Sequence, residues 1–312
     1  MHNKIEGVVV AMVTPLEREN ERINVKETKR LITFLLGEGV NALFILGTTG
    51  EGLSLSVENR KRFAEIVIDY VDDKVPIIVH ASHMEQERLR DLIQHAQNIG
   101  ASGIALLPPL FYPLQEQEIK SYFKAVLESF TQCSFFLYNI PQFTGNKITP
   151  SIVQDLSETH RNLVGIKSSN TDLVDFQKFL TLKHKLTILV GHDSLTYPAL
   201  LLGAQGVVSG PSSVFPEIYV LLYKALRDKK YELSLECQLI INEIADLFQG
   251  RVNLALFKNA LEVRGFDMGG VRSPLCDLDA TEKMHFLNLV REFLEDKYLK
   301  MVKNLFPVCE RF

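Results

Sequence analysis

Concentrated positive charge, paired cysteines and long apolar runs are all missing from this 312-residue chain. The formal net charge is −4, with a pI near 6.1. The densest basic groups, Arg60-Lys61-Arg62 and Arg227-Asp228-Lys229-Lys230, read as solvated helix surface or helix ends. No basic face is therefore offered to nucleic acid or to an anionic membrane, and neither is expected as a partner. Cys133, Cys237, Cys276 and Cys309 are far apart and form no C-x-x-C pair. They predict free thiols in a reducing cytoplasm rather than a disulfide framework. The start, Met1-His2-Asn3-Lys4-Ile5-Glu6, lacks the charged-then-apolar pattern of a leader. The longest apolar candidate, Leu31 to Gly47, is broken by Gly37-Glu38-Gly39 and Asn41, short of the roughly 20 residues of a membrane span. A cytoplasmic location without membrane contact is the expectation. Metal ligands are equally scarce. Close histidine spacing occurs in His80-Ala81-Ser82-His83, which on a strand end points the rings apart, and H-E-x-x-H and Cys/His clusters are absent.

What is present is a hydrophobic fraction of 46% with 23% charged residues, ample for a large core. Short apolar runs alternate with longer amphipathic stretches, the pattern of parallel βα units. Strands are predicted at Val8–Val13, Ala42–Leu46, Ile77–His80, Gly103–Leu107, Ser134–Tyr138, Leu163–Lys167, Thr187–Val190 and Gly206–Ser209. Helices are predicted near 25–38, 57–71, 85–100, 115–130, 150–158, 171–183, 194–203 and 216–229. The first of them carries Leu31, Phe34 and Leu35 at helical spacing and stops at Gly37 and Gly39. Eight strands that are mostly apolar on both faces argue for an α/β fold, a closed (β/α)8 TIM barrel. An open doubly wound sheet is the alternative. Against it, Thr14-Pro15 stands where a glycine-rich dinucleotide fingerprint would follow the first strand. After Lys230 the predicted elements are all helical: Glu232–Phe248, Asn253–Val263, Ala280–Glu295 and a tail to Phe306. The chain thus divides into a catalytic barrel over 1–230 and a C-terminal helical appendage over 231–312.

In such barrels the reactive groups sit at the C-terminal ends of the strands. Lys167 closes the run Leu163-Val164-Gly165-Ile166-Lys167 and is followed by Ser168-Ser169-Asn170. A buried ammonium must be paired or give up its proton. A neutral amine can attack a ketone and form a Schiff base that acts as an electron sink. The plainer reading is a lysine that reaches the strand end as an ion-pair partner. Strand 2 ends in Gly47-Thr48-Thr49-Gly50-Glu51-Gly52, whose hydroxyls and successive N–H groups suit a carboxylate, or simply turn the chain. Tyr138, before Asn139-Ile140-Pro141, could shuttle protons beside a lysine, or tie its hydroxyl to backbone. Gly191-His192-Asp193-Ser194 offers a carboxylate to a polyol, or an N-cap to the next helix. Ser209-Gly210-Pro211-Ser212-Ser213 could border a pocket or only turn.

Taken in order, Ala11-Met12-Val13-Thr14-Pro15, Gly47-Thr48-Thr49-Gly50-Glu51, Tyr138-Asn139-Ile140-Pro141, Gly165-Ile166-Lys167 and Gly191-His192-Asp193 resemble the dihydrodipicolinate synthase / N-acetylneuraminate lyase family. The resemblance covers about residues 5 to 295 and implies a (β/α)8 barrel with a C-terminal helical region. It also implies a homotetramer of two tight dimers and Schiff-base chemistry on pyruvate or other 2-keto acids without a cofactor. By resemblance Lys167 is the Schiff-base lysine and Tyr138 the proton-relay tyrosine. Thr48 and Thr49 are the pair that binds the keto-acid carboxylate and connects to that tyrosine, and Gly191 and Val208 are pocket positions.

The departures bear on substrate. Dihydrodipicolinate synthases carry an arginine two residues after the tyrosine-loop proline; here Phe143 stands there, and a phenyl ring cannot replace a bidentate cation. The tyrosine that typically crosses the dimer corresponds to Phe111, in Pro109-Leu110-Phe111-Tyr112-Pro113. Sialic acid lyases have an Asp-Glu pair where this chain has Asp193-Ser194. The segment Tyr138-Asn139-Ile140-Pro141-Gln142-Phe143-Thr144 resembles some 2-keto-3-deoxygluconate aldolases. The leading reading is thus a metal-free lyase cleaving a 2-keto-3-deoxy sugar acid to pyruvate and an aldehyde, with Asp193 and Ser169 on chain hydroxyls. A synthase or dehydratase on another 2-keto acid, and a non-catalytic keto-acid-binding barrel, are the alternatives. The apolar, proline-stiffened loop from Leu106 to Pro113 is expected to be covered by a partner subunit.

Overall fold

The computed structural model describes residues 5–18, 22–250 and 253–298. Cys309, Met1 to Lys4 and the tail to Phe306 lie outside the described residues. The elements run β1 (Gly7–Ala11), α1 (Val25–Gly37), β2 (Ala42–Ile45), α2 (Val57–Val71), β3 (Ile77–His80), α3 (Gln86–Asn98) and β4 (Gly103–Leu106). They continue with α4 (Glu116–Ser129), β5 (Phe135–Asn139), α5 (Pro141–Thr144), α6 (Pro150–Thr159), β6 (Leu163–Ser168) and α7 (Leu173–Leu180). Then come β7 (Thr187–Val190), α8 (Thr196–Leu201), β8 (Gly206–Ser209), α9 (Pro216–Arg227), α10 (Tyr231–Leu247), α11 (Leu254–Val263) and α12 (Ala280–Phe293). All neighbouring strands pair in parallel, and β1 pairs with both β2 and β8, so the sheet closes into a (β/α)8 barrel.

Local chemistry explains the boundaries. Asn24, Ser56, Thr149 and Asn253 each accept a backbone N–H from the first turn of the helix they precede, satisfying a donor with no intrahelical partner. The Asp279 cap is completed by Glu282, whose carboxylate returns to the Asp279 N–H. Two predicted helices are shorter than expected. α7 begins after Asp172, whose side chain accepts from the Asp175 N–H at 3.1 Å, because this cap sets the start two residues later than periodicity alone suggests. α8 is preceded by a 3-10 turn over Asp193–Leu195 and ends before Gly203, where φ is +108°. The four-residue α5, absent from the sequence reading, starts on Pro141 and stops at Gly145, φ +73°.

Alternation along the strands sorts their side chains into two cores. One set, including Val9, Ala11, Phe44, Ile78, Phe136, Tyr138, Leu189 and Val208, fills the barrel interior. The other faces the helices. Phe136 fills the middle of the barrel because Gly165 leaves it room: a Cβ there would lie 2.4 Å from Cε1 of the ring. After α9 the described elements are all helices, with an irregular stretch over 264–279 between α11 and α12. α10 packs on α9, and α11 sets Phe257 beside Gly210, just after β8, and Lys258 against Glu51 in the loop after β2. No helix among the described residues is long and apolar enough to cross a membrane.

Candidate active site

The parallel register of β5 and β6 sets Tyr138 directly opposite Lys167. Both point into the barrel at its C-terminal end, and Lys167 is only 5% exposed. Its amine lies 4.0 Å from the ring centroid of Tyr138 and 4.5 Å from that of Phe44. Among the described residues no carboxylate forms an ion pair with it, although its charge acts on Asp193. The ion-pair reading of this lysine therefore has no partner to rest on. Room for the side chain comes from the residue just after β7: a Cβ on Gly191 would lie 2.9 Å from Cε of Lys167 and 2.3 Å from Oγ of Ser169. Ser169 is itself buried, its N–H donating to the Asn139 carbonyl at 2.8 Å.

The two threonines of the β2 loop take different places. Thr48 shares a hydrogen bond of 3.1 Å with the Tyr138 hydroxyl. Thr49 is buried, its Oγ1 turned toward the β8 loop, where a Cβ on Gly210 would lie 2.9 Å away. Val208 closes the interior beside Leu189 and Tyr138. Asp193 accepts the Tyr219 hydroxyl at 2.8 Å, so its carboxylate is turned toward α9. Burial raises this carboxyl above the usual range, opposed by hydrogen bonds from Ser209 and Tyr219 and by the charges of His192 and Lys167.

Phe111 is 80% exposed, in the left-handed region at φ +79°, its ring edge-to-face on Tyr112 with centroids 5.0 Å apart. The loop beneath is fixed, since buried Asn146 donates to the carbonyls of Pro109 and Tyr112 at 2.8 and 2.9 Å and accepts from the Leu114 N–H. Phe143 on α5 is also exposed. His80 and His83 diverge: the first is buried with Nδ1 on the Leu46 carbonyl, while the second accepts from the Glu85 N–H.

Sequence reasoning missed three groups around this cluster. Glu51, in the β2 loop, forms an ion pair of 2.5 Å with Lys258 of α11, both side chains essentially inaccessible, and accepts from the Arg272 N–H at 2.6 Å. Tyr219 holds Asp193. His80 occupies the interior beside Tyr138. Of these, Glu51 stood inside the Gly47–Gly52 motif without a role, and His80 stands two residues after inward-facing Ile78 on the same strand.

A closed parallel barrel with one polar layer at the C-terminal ends of its strands defines the class of barrel proteins whose sites are built from strand ends and the loops that follow. The chain belongs to the Dihydrodipicolinate synthetase family, whose model matches residues 4–293. It is 30% identical over 273 residues, 87% of this chain and 91% of the relative, to the 4-hydroxy-tetrahydrodipicolinate synthase of Methanopyrus kandleri. It is 33% identical over 224 residues, 70% of this chain and 74% of the relative, to the putative 2-dehydro-3-deoxy-D-gluconate aldolase YagE of Escherichia coli. The crystal structure of YagE in complex with pyruvate superposes with a TM-score of 0.87 at 29% identity, covering 93% of this chain and 98% of that one. The sialic acid aldolase of Ruminococcus gnavus gives a TM-score of 0.88 at 27% identity, covering 95% of this chain and 99% of that one.

Proposed function

We propose that this protein is a Schiff-base lyase that reversibly cleaves a 2-keto-3-deoxy sugar acid to pyruvate and an aldehyde. The observation that carries this reading is the Lys167 amine, buried over the Tyr138 ring without a carboxylate partner among the described residues, with Gly191 opening the space beside it. Deprotonated, that amine attacks C2 of the keto acid, and loss of water from the carbinolamine gives the imine. Removal of the C4 hydroxyl proton then breaks the C3–C4 bond. The aldehyde leaves, and the bonding electrons pass into the imine to give an enamine. Protonation at C3 and hydrolysis release pyruvate and free the lysine. Tyr138, oriented by Thr48, moves the protons. The hydroxyls of Thr48 and Thr49 and the N–H groups of their loop hold the carboxylate. Ser169 and Asp193 are assigned to the chain hydroxyls, Asp193 from a carboxylate that already holds Tyr219. Gly191 and Val208 wall the pocket.

Phe143 favours an aldehyde half without a second carboxylate, since no bidentate cation stands at that position. The likeness to YagE supports the same substrate class. A second reading, a synthase or dehydratase on another 2-keto acid, is favoured by the Methanopyrus kandleri relative. Release of pyruvate from a panel of 2-keto-3-deoxy sugar acids separates the two. Turnover of at least one panel member is expected; none, together with condensation of pyruvate onto an added aldehyde, would favour the synthase. Pyruvate binding without either reaction would point to a keto-acid-binding barrel.

The exposed rings of Phe111 and Tyr112 on a rigidly held loop support the further reading that a second subunit covers them in a homotetramer. A barrel unit over 1–230 with a helical appendage over 231–312 remains the proposed division, with a cytoplasmic location.

A further inference from the structure

His80 closes β3 and is 1% exposed. Its Nδ1 lies 2.8 Å from the Leu46 carbonyl oxygen. A carbonyl can only accept, so Nδ1 carries the proton and the neutral ring presents Nε2 as an acceptor. Nε2 is buried and has no hydrogen-bond partner among the described residues. The ring stands edge-to-face on Tyr138, with centroids 6.0 Å apart at 89°.

The residue it holds is strained. Leu46 has φ +61°, a conformation that a branched side chain adopts at a cost and keeps only when its surroundings enforce it. It is also where the chain leaves β2 for the Gly47–Gly52 loop that carries Thr48 and Thr49. That loop folds back over the same carbonyl, since a Cβ on Gly52 would lie 1.7 Å from the Leu46 oxygen. On the other side, buried Arg60 donates to the carbonyls of His80 and Ser82, both at 2.8 Å, and locks the strand end from which His80 projects.

We infer that His80 is a positioning residue for the reaction proposed at Lys167: through the Leu46 carbonyl and the Tyr138 ring it holds the Thr48–Tyr138 pair in register with the amine. The inference rests on that proposed reaction and goes beyond it by assigning a role to a residue that touches no reacting atom. Burial drives the imidazole down to about 3, helped by the charges of Arg60 and Lys167 and opposed by the Leu46 carbonyl. The latch is therefore a constant donor at neutral pH, and no proton exchange is assigned to it.

The side chains that can replace it are specific. Asparagine places an amide N–H near the position of Nδ1, glutamine near Nε2, and alanine neither. The test compares wild type with His80→Asn, His80→Gln and His80→Ala, following borohydride trapping of pyruvate on Lys167 and the turnover of a cleaved sugar acid. His80→Ala and His80→Gln are expected to lower the trapping rate and kcat by about 10- to 100-fold, the scale of a small misplacement of reacting groups. His80→Asn is expected to recover most of the loss. In a cycle with Thr48→Val, the double variant His80→Gln/Thr48→Val should be little slower than the slower single one, because both changes act on one pair. Equal activity of the Asn and Gln variants, or additive losses in the cycle, would overturn the positioning role. Should His80→Ala fail to fold, the Asn and Gln comparison decides alone. Absence of trapping in wild type would instead overturn the lyase reading, so the two failures are distinguishable.

Discussion

Around Lys258 the chain supplies what a buried ammonium requires. The amine meets the Glu51 carboxylate at 2.5 Å and donates to the Gly270 carbonyl at 2.7 Å, while Glu51 also takes the Arg272 N–H. Burial holds this amine below the ordinary lysine range, with Glu51 pulling the other way. Around Lys167 the same side chain, buried nearly as well, meets two aromatic rings and the space left by Gly191. Breaking the first arrangement strands a charge; the second has no charge partner to strand among the described residues. Burial alone therefore does not single out a lysine for nucleophilic chemistry; in the proposed reading, the missing charge partner does.

Tyr138→Phe should lower turnover by about 10²- to 10⁴-fold, the usual contribution of a proton-transfer group, while the variant folds normally. A loss of less than about 10-fold would remove Tyr138 from the relay. Lys258→Met should act on stability, costing about 3–5 kcal/mol by leaving Glu51 buried and unpaired, read as a lower denaturant midpoint. Retention of pyruvate trapping on its Lys167 would separate the two lysines cleanly.

Acid should unfold the wild type partly through His80. The unfolded imidazole takes a proton below about 6.5, but the folded one, beside Tyr138, Arg60 and Lys167, does so only near 3. Its contribution is present above the first value and is lost as pH falls toward the second. At about 1.4 kcal/mol per unit this amounts to several kcal/mol, and His80→Asn should flatten that segment of a stability-versus-pH curve. The smallest effect is expected from Phe111→Tyr. Stability should change by less than about 0.5 kcal/mol at this exposed ring, with turnover changing more. Unchanged kinetics with lost stability would place Phe111 in its own subunit's packing.

The barrel was legible because its strands are short apolar runs punctuated by turn residues. Ile77–His80, Thr187–Val190 and Gly206–Ser209 stand where the pattern put them. Helix ends were less legible wherever a cap such as Asp172 overrode the apolar period. α5 is one helical turn, too short to show a period at all. Within the site, the positions of Lys167 and Tyr138 at neighbouring strand ends follow from strand order alone. Strand alternation sets His80 on the same face as Ile78, a relation the sequence reading did not use, and only the fold shows Leu46 strained beneath it. The Glu51–Lys258 pair joins distant parts of the chain; the apolar run Leu254-Ala255-Leu256-Phe257 and Ala260-Leu261 around Lys258 marks a buried helix, but nothing local names its partner. For Asp193 the local pattern offered a substrate contact or an N-cap; its partner, Tyr219, comes from α9.

The most direct measurement is borohydride reduction in the presence of pyruvate, followed by peptide mapping of the modified lysine. One reduced pyruvyl adduct is expected, on Lys167, lost in Lys167→Ala, with Lys258 unmodified. An adduct on another lysine, or none in the folded wild-type protein, would remove Lys167 as the Schiff-base residue.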